Sequence, residues 1–498
     1  MELLAGIDVG TTGCKIAVYR EDGGCVAKKR REYGVEFPAP GWAEQDPTLW
    51  WNALRTCFRE LFAEGIKPED IRAMALSAQA PTLIPVDAEG NPLTRAILWM
   101  DSRAVEESRE LRNLGLNCSD ATYFMPKLLW LKKNRPEIHE SCSRYLCAMS
   151  FLNQRLCGEA VTDWYSAAMA GYDVEKGRWD EDLLSAVGVD EELLPEVRRP
   201  GEVLGTLSGE ASEELGLPRD VVVALGGVDG VLASLGVACL EEGSAYEITG
   251  HSTVVASLTR RRMPYGPNLP LMPFLIDGLW IAGGFTSSTG AILRWFRDNF
   301  GVDEDLRGVV GGGDYDLLCY EASLCPPGAE GLILLPYFAG ERSPIWDPKA
   351  RGVLFGITLK HGRKNFVRSI LESCGFAIRH LIEDLELRGV EVEELRSSGG
   401  GSKNPVWSKI KADITNLKVI TFEEPDASLL GAAILAGMAA GFWNDLRRAC
   451  TEMVRVKEVF EPDPGLRRLY DRRFALYKVL YERLKDLFPE LGDDVDEE

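Results

Sequence analysis

A strand–turn–strand pattern occurs twice along this chain, and it constrains the fold more than any other feature. Residues 3–8 form an apolar run ending in a carboxylate, Asp8. Gly10, Thr11, Thr12 and Gly13 follow as a turn, and residues 14–19 return as a second apolar run. The order comes back later: residues 245–249 read as a strand, Gly250-His251-Ser252 as a turn, and residues 253–258 as the return. Glycine-bearing turns between apolar runs mark hairpins. A carboxylate, two flexible glycines and two hydroxyls at one tight turn suit a phosphate and its metal. The recurrence predicts two lobes facing each other across one nucleotide.

Size agrees, because 498 residues exceed one ordinary core. The net charge of -21 repels nucleic acid and anionic membranes. An anionic ligand must then be held by local donors and metal. The longest apolar-rich segment, residues 431–443, is too short to span a bilayer, and no leader pattern is read at the N-terminus. The twelve cysteines form no Cys-x-x-Cys pair, which fits reduced thiols in a cytoplasmic protein.

The first turn leads into a meander, with residues 25–29 as its third strand. Helical spacing over 47–64 puts Trp50, Trp51, Leu54, Phe58, Leu61 and Phe62 on one face. Residues 71–77 and 96–99 read as strands, 105–114 and 127–134 as helices. The β-branched run at 221–225 predicts a strand buried on both faces, followed by a helix to about 237. The longest helical pattern covers 365–387; a strand into Ser397-Ser398, a glycine run and another helix come next. Residues 428–440 read as a small-residue helix suited to close packing, 466–487 as amphipathic, and 493–498 as a frayed acidic tail. The expected lobes are 1–243 and 244–498.

Four segments carry candidate chemistry. Asp8 ends its strand, where a carboxylate can orient Mg²⁺ through its water shell, and Thr11, Thr12 and Lys15 can meet phosphate. An ordinary glycine hairpin with a capping acid is the alternative. This is not a Walker loop, since the turn enters a strand and not a helix. Asp229 follows the buried strand and opens a helix, where a base can take a hydroxyl proton. A plain helix cap is the alternative. Gly399-Gly400-Gly401-Ser402-Lys403-Asn404 lets backbone lie against a nucleotide, or is simply a flexible loop. Trp99, Asp101 and Arg103 can hold a sugar, with Gln79 donating to a hydroxyl; a surface Asp101–Arg103 pair with a core Trp99 is the alternative.

Together these segments resemble the FGGY family of carbohydrate kinases along nearly the whole chain. Asp8, Gly10, Thr11, Thr12 and Lys15 are similar to the family's Asp-x-Gly-Thr-Thr/Ser-x-x-Lys. Residues 352–357 and, after seven more, 365–372 resemble its C-terminal signature; Lys127 to Asn134 fit half of its N-terminal one. The resemblance implies an α/β fold of two ribonuclease H-like lobes of the actin and hexokinase type, with ATP and sugar in a central cleft. It implies Asp229 as catalytic base and Asp8 placing Mg²⁺. It also implies phosphate contacts from Thr11, Thr12 and Gly250, and nucleotide contacts from Gly400, Gly401 and Asn404. The chain departs from the xylulose branch at Gln79-Ala80-Pro81-Thr82, where that branch has Gln-Met-His-Gly with a Met-His pair on the sugar. The second hairpin carries Gly250-His251 where the family has Gly-Thr, leaving Ser252 or Thr253 to supply the hydroxyl.

The expectation is an ATP-dependent transfer to a primary hydroxyl of a small carbohydrate, a pentulose such as xylulose first. Ribulose, erythritol, glycerol and gluconate remain open, as does an actin- or Hsp70-like ATPase module without a sugar. A homodimer is left open.

Overall fold

The structure is a computed structural model. It describes residues 2–117, 120–262, 271–308 and 310–491, so the acidic run at 493–498 lies outside the described residues. The chain forms two compact units: Met1–Ala238 with Asp426–Val454, and Cys239–Pro425 with Arg455–Glu498.

In the first unit, β1 (Leu3–Val9), β2 (Gly13–Tyr19), β3 (Cys25–Glu32), β4 (Ile71–Ala78), β5 (Val203–Thr206) and β6 (Val222–Val228) form one sheet. Its order is β5-β6-β4-β1-β2-β3. β1, β4 and β6 run parallel, whereas β2, β3 and β5 pair antiparallel with their neighbours. β3 runs past the expected end at residue 29 because charge there serves an edge. Lys28 pairs with Asp426, Lys29 with Glu64, Arg30 with Glu32 and Arg31 with Glu60. Trp50, Leu54, Phe58 and Leu61 of the helix Thr48–Ala63 are buried in the sheet's core.

The helix Ala427–Ala439 belongs to this unit although it lies far along the chain. Its small residues let backbones nearly touch. A Cβ on Gly6 of β1 would lie 1.9 Å from the Leu429 carbonyl oxygen, and one on Gly431 would lie 1.9 Å from that of Leu232.

The second unit repeats the topology. Its strands are β7 (Gly243–Thr249), β8 (Thr253–Thr259), β9 (Leu271–Pro273), β10 (Trp280–Phe285), β11 (Val392–Ser398), β12 (Lys418–Phe422) and β13 (Val456–Phe460). The order is β9-β10-β8-β7-β11-β12-β13. β7, β11 and β12 are parallel; β8, β10 and β13 are antiparallel to their neighbours. From β10 to β13 this matches β3 to β5 of the first unit, strand for strand, as expected for two ribonuclease H-like lobes. The helix Arg363–Leu387 starts two residues before the sequence pattern, because Asn365 Oδ1 accepts the Gly362 N–H at 3.0 Å. No helix among the described residues is long and apolar enough to cross a membrane.

Candidate active site

In the first unit the candidate residues gather where the parallel strands end. Ser77 of β4 stands opposite Asp8 on one side and Gly227 on the other. Asp229, two residues past Gly227, opens the helix Asp229–Gly236. Ligands of open parallel sheets bind beyond these carboxyl ends. Ser77 Oγ donates to Asp8 Oδ1 at 2.9 Å. Burial pushes the Asp8 carboxyl up to about 6, against the pull of Lys15 and with the negative charges of Asp229 and Asp426 adding to it.

Asp229 is not the helix cap. That position is Val228, and the Asp229 carboxylate accepts from the adjacent Gly230 N–H, at 2.7 Å. Its side chain meets solvent yet is recessed among protein atoms, which raises its pKa. A raised, accessible carboxylate is suited to proton transfer.

The hairpin turn is braced by Gly10 N–H to Gly13 O at 3.1 Å and by Tyr33 Oη to Gly10 O at 2.8 Å. Thr12 is exposed at its tip. The Thr11 hydroxyl is differently engaged from the expected phosphate donor: it gives its proton to Gln79 Oε1 at 3.2 Å and accepts from Trp99 Nε1 at 2.8 Å. Lys15 is drawn to Asp426, 2.7 Å away, which Lys28 also holds at 3.0 Å. Burial opposes ionisation of Asp426, but the two lysines outweigh it and hold the carboxyl well below the ordinary range.

Gln79 is buried and tied by its N–H to Val9 O at 3.0 Å. Its amide donates to Gln45 Oε1 at 3.3 Å. Gln45 in turn donates to Thr11 O at 3.0 Å and Gly34 O at 2.7 Å, and accepts from Trp50 at 2.7 Å. The sequence reading missed Gln45, whose neighbours are set only by the fold. Ala80 and Trp99 are half-buried alongside.

Asp101 and Arg103 form neither the surface pair nor an open sugar contact. Asp101 is fully buried and accepts from Ala43 N at 2.6 Å, Arg103 N at 3.0 Å and the Arg103 guanidinium. Arg103 also reaches Glu44 at 2.7 Å and lies 3.7 Å over the Trp42 ring. This clamp ties residues 101–103 to residues 42–44.

The second unit carries a parallel set. Glu247 of β7 faces Ser397 of β11, the register place that Asp8 and Ser77 hold in the first unit. Here the carboxylate is sealed in. It accepts from Ser397, Thr249 and the fully buried Lys411. Lys411 Nζ also donates to Gly401 O at 3.3 Å, joining the hairpin to the glycine turn. A Cβ on Gly401 would meet Thr249 Cβ at 2.7 Å, so the glycine allows this close approach. Gly250 and Gly400 are exposed, but Asn404 is committed: its Oδ1 caps Val406 N–H at 3.0 Å and its Nδ2 donates to Asp316 at 3.0 Å. Thr253 does not replace the missing turn hydroxyl, for its own is buried on Thr289 at 2.6 Å and Thr249 at 3.0 Å. His251 is exposed, and burial of its ring with Arg294 nearby lowers its pKa.

Two family models account for most of the chain. Residues 3–236 match the N-terminal domain of the FGGY family of carbohydrate kinases, and residues 246–440 match the C-terminal domain. The chain belongs to this family. It is a carbohydrate kinase, and ATP is its phosphoryl donor. A xylulose kinase of Lactococcus lactis is 29% identical over the full length of both chains. A glycerol kinase of Thermococcus kodakarensis is also 29% identical, over 97% of each. The solved structure of a gluconate kinase from Lactobacillus acidophilus superposes with a TM-score of 0.88 at 26% identity, covering 98% of this chain and 99% of the other. FGGY relatives with different substrates thus stand at similar distance. Among the described residues, no group of three or more His, Cys, Asp or Glu side chains is arranged to hold a metal.

Proposed function

We propose that this FGGY kinase phosphorylates a primary hydroxyl of a small ketose, with xylulose the first candidate, and that Asp229 is the base. The observation carrying this is the Asp229 carboxylate: recessed, uncommitted to a cap, and two residues past Gly227, which stands opposite Ser77 at the parallel strand ends. The acceptor hydroxyl gives its proton to Asp229 as its oxygen attacks the γ-phosphorus of ATP, and ADP leaves. Gln79 and Trp99 line the acceptor's side of the unit, and the glycine turn with Thr12 cradles the transferred phosphate. Gly250 and Gly400 leave the second unit's turns bare for the nucleotide, with Gly401 buried behind them.

Mg²⁺ fits Asp8. The carboxylate resists ionisation where burial and Asp229 oppose its charge, so a cation there relieves a real cost. One carboxylate suits an ion that keeps most of its waters. When bound, Mg²⁺ offsets negative charge on the phosphates. An ATP-dependent reaction on a free sugar belongs in the cytoplasm.

Xylulose stands first on a xylulose kinase's similarity over the full length of both chains and on Gln79 at that branch's glutamine, while Ala80-Pro81-Thr82 depart from its Met-His-Gly and keep the other acceptors in the test. ADP release with xylulose, ribulose, erythritol, glycerol and gluconate tests it. The largest kcat/KM is expected for xylulose. ATP hydrolysis indifferent to every carbohydrate would overturn the reading in favour of a plain ATPase module.

A further inference from the structure

We infer that Lys127 is a positioning residue for sugar recognition, bridging the two segments that carry Gln79-Ala80 and Trp99–Arg103; this rests on the proposed sugar site. Lys127 lies in the first turn of the helix Phe124–Asn134 and is fully buried. Its Nζ donates to Leu98 O at 2.6 Å and to Pro81 O at 3.3 Å. One carbonyl directly precedes Trp99, and the other directly follows Ala80.

The two segments pair nearest the site at Leu83 and Ile97, and again farther off at Val86 and Pro92. Leu83 and Ile97 exchange both backbone bonds, each at 2.9 Å, as an isolated bridge. Toward Gln79 and Trp99 no backbone ladder continues among the described residues; the Thr11 hydroxyl joins the two side chains, and the Lys127 ammonium joins the two backbones. An ammonium among Phe124, Met125, Leu128 and Leu129 is costly. Burial pushes it down to about 7, which the Asp101 charge opposes, with Arg103 acting against it and Asp120 for it. An apolar side chain would pack there at less cost, but it could not span two carbonyls. Lys127 touches neither the acceptor hydroxyl nor the phosphate in this reading; it fixes the gap between the groups that grip the sugar.

Lys127→Met tests this, on whichever carbohydrate the wild type turns over. Losing charge-assisted bonds should raise the sugar KM by about tenfold while leaving the ATP KM within about twofold. Lys127→Gln keeps an N–H donor and should fall between; it also serves if the Met variant does not fold. Hydrogen exchange supplies a readout independent of turnover. Amides of residues 79–83 and 97–101 should exchange faster in the variant, with residues 3–19 unchanged. Unaltered exchange in those segments, or sugar and ATP KM rising together, would overturn the inference. A wild type that phosphorylates no carbohydrate would instead overturn the proposed function, and exchange alone would then decide Lys127.

Discussion

Asp8 and Asp229 illustrate how far a single residue is legible. Their places at strand ends follow from the apolar runs before them. What occupies Thr11, Lys15 and Asn404 does not, because Gln79, Asp426 and Asp316 lie 68, 411 and 88 residues away. Asp229→Asn keeps the shape and removes the base. Its kcat should fall by about a thousandfold, while calorimetric ATP affinity stays as in wild type; turnover near the wild-type rate would refute the role. Glu341 supplies a stability test. It accepts Ser287 N–H at 2.6 Å and Arg342 N–H at 2.8 Å, yet burial pushes it up to about 7. A carboxyl raised above its unfolded value makes the native state bind more protons. The penalty is absent below about pH 4.5, grows as pH rises, and is complete above about pH 7, at about 3 kcal/mol at most. Unfolding free energy should therefore fall more steeply between pH 5 and 8 in wild type than in Glu341→Gln. Equal slopes in urea titrations would refute it.

Among elements, the helix Ala427–Ala439 divides what composition reveals from what it hides. A run of Ala, Gly and Leu reads as a closely packed helix. Its partners, β1 and the helix Asp229–Gly236, are known only from the fold. The helix seats the same strand end that carries Asp8. In Gly6→Ala, the new Cβ meets backbone that cannot rotate away, so strand and helix must part. A loss of about 3 kcal/mol is expected from the shift in urea midpoint; a change below about 1 kcal/mol would mean the contact yields easily. β3 shows the opposite limit. Its charged residues hid the strand's last three positions, 30–32, in sequence because they guard an edge and do not face a core.

The whole molecule is a topology used twice, and the repeated hairpin made that legible. The assignment of residues 426–454 to the first unit was not, since nothing local marks where a helix will dock. A fragment of residues 1–238 lacks this helix. It should be poorly cooperative in thermal melts, and joining residues 426–454 through a flexible linker should restore a sharp transition. A sharp melt of the bare fragment would refute the dependence. The same chain order has a consequence during synthesis. The ribosome completes β6 at residue 228 but reaches residue 439 only about 200 residues later, or about 10–40 s at ordinary elongation speed. For that interval the nascent sheet must wait with its apolar face uncovered, a natural client for a chaperone until translation delivers the missing piece.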